Sequence, residues 1–166
     1  MSKTMRLATA VCGLLLISGA AHAQAPAAPP AAAATAHLTP AQFMAQNAQA
    51  AGVKTLPSGL QYKIVHSGDP ASGSPKAGDI VKVNYEGTLT SGEIFDSSFA
   101  RGKPAIMALA DLVPAWMEAV PMMHTGDEWV LYVPPALGYG DEGGGPIPPN
   151  SVLIFRLQLL GFLTAD

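Results

Sequence analysis

The chain has 166 residues, nine basic against twelve acidic, a formal net charge of −3, and one cysteine, Cys12. That length fits one domain with short appendages. The acidic balance opposes nucleic acid or an anionic membrane as partner, and a lone cysteine rules out a disulfide framework.

Lys3 and Arg6 precede an apolar run from Leu7 to Ile17, and Ala21-His22-Ala23 offers a small-residue cleavage site, so residues 1–23 read as a secretory signal. The run is shorter than the ~20 residues a membrane span needs. Cys12 lies inside it without a Leu three residues before, which opposes lipid attachment. Cleavage after Ala23 leaves seven basic residues against twelve acidic ones and no cysteine. No hydrophobic run after residue 23 is long enough to span a bilayer. Residues 24–38 are almost entirely Ala and Pro as far as Ala36; with nothing to bury, they read as a disordered tether.

Thr39-Pro40-Ala41-Gln42 is a helix start, with Thr39 as cap, Pro40 in the first turn and Gln42 completing a capping box. The helix is expected to run to about Ala51 and stop at Gly52, which makes 39–52 a short N-terminal helical segment. Its apolar face (Phe43, Met44, Ala48, Ala51) is thin, so weak docking is expected. Residues 53–166 form the main domain. Strands are expected at Leu60–Val65, Val81–Leu89, Ile94–Phe95, Pro104–Leu109, Trp129–Val133 and Leu153–Leu159, from period-2 alternation or short apolar runs. Val113, Trp116, Met117 and Val120 fall at helical spacing, which predicts one helix over Asp111–Val120. Several strands and one short helix describe an α+β domain, an antiparallel sheet with one face wrapped on the helix.

The most informative stretch is Val81–Ser98. Val81, Val83 and Tyr85 alternate with Lys82, Asn84 and Glu86, Thr90-Ser91-Gly92 turns the chain, and Ile94-Phe95 returns before Asp96. This hairpin directs Tyr85 and Phe95 inward and leaves the Asp96 carboxylate beside an aromatic wall. An acid is costly there unless it has a partner or a task.

Downstream the chain continues with Val113-x-x-Trp116, Tyr139-Gly140 and Ile147-Pro148-Pro149. Taken in this order with Tyr85 and Phe95-Asp96-Ser97-Ser98, from about Gly59 to Phe162, the set resembles the FKBP-type peptidyl-prolyl cis-trans isomerases, the immunophilins that bind tacrolimus and rapamycin. The resemblance implies a curved antiparallel half-barrel around one short helix, with the pocket between them. It implies catalysis of X-Pro rotation in proline-containing polypeptide clients, macrolides as possible ligands, and neither cofactor nor metal. Carried over, the catalytic set is Tyr85, Phe95, Asp96, Trp116, Tyr139 and Phe155, with Trp116 as the pocket floor. Met107, Leu112, Val113 and Ile147 are the substrate- and macrolide-binding set, the Val113 N–H being the donor to a ligand carbonyl. Departures from the family pattern are Asn84 for a common His, Ala105 and Met107 for aromatics, and Gly144 near the position of a usual His. Secreted relatives carry a long N-terminal dimerisation region, of which only a remnant is expected here.

Other signals are weak. The loop Asp141–Gly145 has two acids and no Lys, so it is no phosphate cradle. His37, His66 and His124 lack ligand spacing, and no Ser-His-Asp motif context is present. The reading is therefore a secreted isomerase of the bacterial periplasm. The alternative is a binding module of the same fold that holds unfolded clients with little turnover; a purely structural envelope role would not require an acid among aromatics.

Overall fold

The computed structural model describes residues 38–165, so the expected signal over 1–23 and nearly all of the tether over 24–38 lie outside the described residues. The described elements are helix α1 (Pro40–Asn47), strands β1 (Val53–Thr55), β2 (Gln61–His66), β3 (Ile80–Leu89), β4 (Ile94–Ser97) and β5 (Ala105–Ala108), helix α2 (Pro114–Ala119), and strands β6 (Glu128–Val133) and β7 (Leu153–Leu163).

Alternation does what it predicts. Val81, Val83, Tyr85, Gly87 and Leu89 of β3, Trp129, Leu131 and Val133 of β6, and Leu153, Phe155, Leu157 and Leu159 of β7 are all buried, while the residues alternating with them are not. The strands form one open antiparallel sheet in the order β1-β2-β6-β7-β3-β4, with β5 also paired to β3. The spine is β3 against β7, in register from Ile80↔Leu163 to Leu89↔Leu153 with one irregularity after Lys82. Along the opposite edge of β3, β5 covers Ile80–Val83 and β4 covers Glu86–Thr88. The inner face packs on α2, whose Ala115, Trp116 and Ala119, with Val120, join the strand residues in one core. The outer face is polar by the same alternation: Arg156 Nε donates to Glu128 at 2.6 Å, Gln158 to Glu128 at 2.8 Å and Asn84 to Gln158 at 3.3 Å. The Arg156 bond holds the Glu128 carboxyl below its ordinary range.

Three expectations are corrected. The helix over Asp111–Val120 is split: a 3-10 turn occupies Leu109–Asp111, Leu112 and Val113 are extended, α2 starts at Pro114, and a second 3-10 turn covers Val120–Met122. Proline disfavours the helical region for the residue before it, and Val113, at φ −59° and ψ 149°, stays outside α2 as its cap. Met117, expected on the buried face, is 40% exposed; Ala115 and Ala119 take the inward positions beside Trp116. The capping box at Thr39 forms, yet α1 ends at Asn47, because the next amides bond three residues back (Gln49 to Gln46, Ala50 to Asn47) and tighten into turns that reach Gly52 at φ 80°. The helix is also held by a polar clamp as well as its thin apolar face. Buried Gln61 donates to the Met44 carbonyl at 2.8 Å and accepts from Asn47 Nδ2 at 2.8 Å. Strand β1, three residues paired only to β2, was too short to announce itself by alternation.

Candidate active site

A cavity of about 540 Å³ opens between α2 and the inner face of the sheet. It is lined by all ten residues expected at the site: Tyr85 from β3, Phe95 and Asp96 from β4, Met107 from β5, Leu112, Val113 and Trp116 at and in α2, Tyr139 and Ile147 from the loop before β7, and Phe155 from β7. Asp111 and the backbone stretch Gly144-Gly145-Pro146 complete the wall.

The aromatic residues are fixed edge to face. Trp116, 4% exposed, meets Tyr85 at 5.3 Å and 85° and Phe155 at 5.4 Å and 87°, and Phe155 meets Phe95 at 5.6 Å and 89°. Such tilted pairs add about 0.5–1.5 kcal/mol each beyond the area they bury. The Trp116 indole N–H is buried without a hydrogen-bond partner among the described residues. Gly87 makes the arrangement possible. It lies opposite Asp96 on β4 and Phe155 on β7, and a Cβ there would overlap the Phe95 ring and stand 2.9 Å from Phe155 Cε1.

One wall is polar. The Tyr85 hydroxyl donates to Asp96 Oδ2, Arg101 Nη1 donates to Asp96 Oδ1, and Arg101 Nη2 donates to the Tyr85 oxygen at 3.0 Å. The guanidinium also lies over the Tyr85 ring, 5.5 Å from its centroid. Burial pushes the Asp96 carboxyl upward, but the bonds from Tyr85 and Arg101 together outweigh it and hold the group below the usual carboxylate range. Burial, reinforced by the bond to Asp96, pushes the Tyr85 phenol up. Asp96 is thus an ionised acceptor and Tyr85 a neutral donor at ordinary pH. Arg101 had no signal in the sequence: it sits in an exposed turn, and only its fifth place after Asp96 connects the two.

At the rim Tyr139 is 43% exposed, and the Cδ1–Cε1 edge of its ring faces Gly144, where a Cβ would stand 2.9 Å from Tyr139 Cδ1. Glycine at this position is therefore what lets the edge of the Tyr139 ring come this close to its own loop. The bridge between Gly144 and Ile147 closes that loop. Val113 carries the last extended residue before α2, and its carbonyl accepts from Trp116 and Met117. Its N–H has no intrachain acceptor among the described residues. Among the described residues no group of three His, Cys, Asp or Glu is placed to hold a metal ion.

Fold and pocket together define a small-sheet receptor with an aromatic well, and comparison with known proteins names the class. The family model described as FKBP-type peptidyl-prolyl cis-trans isomerase matches residues 71–160, more than half of the chain. The chain belongs to that family. A second model, the domain amino terminal to FKBP-type peptidyl-prolyl isomerase, matches residues 14–64. The chain is 47% identical over 119 residues to the FKBP-type peptidyl-prolyl cis-trans isomerase FkpA of Aeromonas hydrophila, covering 72% of this chain and 44% of that one. It is 44% identical over 119 residues to the outer membrane protein MIP of Legionella longbeachae, covering 71% and 50%. The crystal structure of FkpA from Escherichia coli superposes with a TM-score of 0.73 at 38% identity, covering 76% of this chain and 59% of that one. The chain thus spans about half the length of the curated relatives it matches.

Proposed function

We propose that this chain speeds cis-trans rotation of X-Pro bonds in folding or exposed polypeptides, without covalent chemistry. The barrier to that rotation is ~20 kcal/mol, and uncatalysed exchange takes tens of seconds or longer. Twisting the amide removes its resonance and leaves a less polar C–N bond, so an apolar, water-poor cavity stabilises the twisted state over the planar one. The observation that carries this reading is the composition of the cavity: an aromatic floor and walls, with a polar wall at Asp96 whose charge is met by Tyr85 and Arg101. Trp116 seats the proline ring. Phe95, Phe155, Tyr85, Met107, Leu112 and Ile147 exclude water, the Val113 N–H holds a flanking carbonyl, and Tyr139 closes on the ligand from the rim. Asp96 orients polar groups through Tyr85 and transfers no proton.

The clients are proline-containing polypeptides, and macrolides such as tacrolimus and rapamycin are ligands of the same pocket. Residues 1–23 act as a secretory signal, 24–38 as a tether, 39–52 as a short N-terminal helical segment and 53–166 as the isomerase domain. The match to the amino-terminal domain model begins at residue 14, within the proposed signal, and ends inside β2. The signal and the outer-membrane name of a relative support an envelope location, most directly the periplasm. Among the described residues no helix is long and apolar enough to cross a membrane. A proline-isomerisation assay on a tetrapeptide series, with and without rapamycin, tests the reading: turnover that rapamycin blocks is expected, and binding of peptides without turnover would favour a client-holding module instead.

A further inference from the structure

Two carboxylates line the cavity, and their surroundings differ. Asp96 is bonded by Tyr85 and Arg101, so its charge is met within the protein. Asp111 is exposed at the end of the 3-10 turn, and among the described residues no salt bridge includes it. No lysine or arginine lines the cavity beside it. It precedes Val113 by two residues, at most ~7 Å along the chain. A client whose carbonyl is held by the Val113 N–H therefore carries the side chains next to its proline past an uncompensated negative charge.

We propose that Asp111 is a specificity-determining residue, favouring clients with Lys or Arg next to the proline and disfavouring those with Asp or Glu there. The inference rests on the isomerase reading of the pocket. The remaining surroundings reinforce the sign: Arg101, the cation nearest in function, is engaged by Asp96 and Tyr85, so it does not neutralise Asp111. An exposed charge acts weakly through solvent, but attraction of a cation and repulsion of an anion move the same ratio in the same direction. The Lys-to-Glu preference attributable to Asp111 is then about fivefold at low ionic strength, shrinking as salt screens it.

The test uses proline tetrapeptides that differ only in Lys, Leu or Glu, placed before the proline in one series and after it in another, in a protease-free isomerisation assay. Asp111→Asn is expected to lower the Lys-to-Glu ratio of kcat/KM about fivefold in at least one series, and Asp111→Lys to lower it further. Raising salt to about 0.5 M should reduce the wild-type ratio and leave that of Asp111→Asn nearly constant. Glu93→Gln removes the same charge from the exposed turn between β3 and β4, outside the cavity lining, and is expected to leave the ratio as it is. An unchanged ratio in Asp111→Asn in both series, or an equal drop in Glu93→Gln, would overturn the assignment. Wild-type protein that turns over none of the peptides would overturn the isomerase reading beneath it, whereas good turnover of the Leu peptides with an unmoved ratio overturns the role of Asp111 alone.

Discussion

Replacing Gly87 by alanine is the smallest change that reaches the centre of the site. The added methyl would overlap the Phe95 ring, lying 2.5 Å from Cε2, and would stand 2.9 Å from Phe155 Cε1. Ordinary carbon contacts begin near 3.5 Å, so the Phe95 ring must withdraw by about 1 Å. Gly87 is an ordinary strand residue without positive φ, so the effect is steric and carries no backbone strain. Overpacking in a closed core costs about 1–3 kcal/mol. Phe95, however, is only partly buried and faces a cavity into which it can swing, so the stability loss should fall near the low end, about 1 kcal/mol. Function should suffer more, because the ring relieves its clash by entering the space the proline needs: kcat/KM is expected to fall at least ~10-fold, equal to ~1.4 kcal/mol of barrier. Denaturant melts and the tetrapeptide assay measure the two effects. Removing the ring in a Phe95→Ala background should lower the stability cost of Gly87→Ala, leaving the 2.9 Å approach to Phe155 Cε1, a coupling a double-mutant cycle reports. Wild-type activity and stability in Gly87→Ala, or full additivity in the cycle, would refute the packing argument.

Trp116→Ala should cost ~3–5 kcal/mol through the cavity it leaves. Trp116→Leu should keep the fold yet change tacrolimus affinity, and unchanged affinity would show that the indole is not the floor. Arg101→Leu should raise the Asp96 carboxyl toward its ordinary value. Because Asp96 is depressed in the folded protein, its contribution is present above the unfolded carboxylate value of about 3.9 and is lost as pH falls below it. Acid titration of stability should therefore be less steep below about pH 4 in Arg101→Leu than in the wild type, with no difference in slope near neutrality.

The sheet was legible because burial on one face writes itself as period-2 alternation, plainest in Val81-Val83-Tyr85 and in Leu153 to Leu159. The helix was less so. Helical spacing from Val113 to Val120 suggested a longer element than the chain forms, although Pro114 marked the true start and weighs more than periodicity at that point. The ten pocket residues were recognised by their order along the chain; periodicity alone would have assigned Tyr85, Phe95 and Phe155 to an ordinary core. Arg101 and Gly87 escaped for a shared reason. Each acts through partners brought by other strands or turns, Arg101 through Asp96 and Tyr85, Gly87 through Phe95 and Phe155. Likewise, Gln61 read as a strand residue gives no hint that its amide clamps α1.

The most direct test of rotation without proton transfer is the pH dependence of kcat/KM, measured without a coupling protease between roughly pH 6 and 8, for the wild type and Asp96→Asn. With Asp96 ionised and Tyr85 neutral across that window, both profiles should be nearly flat, and Asp96→Asn should be lower by ~10-fold from lost orientation of the polar wall. A steep wild-type profile that disappears in Asp96→Asn would show general acid catalysis and contradict the account.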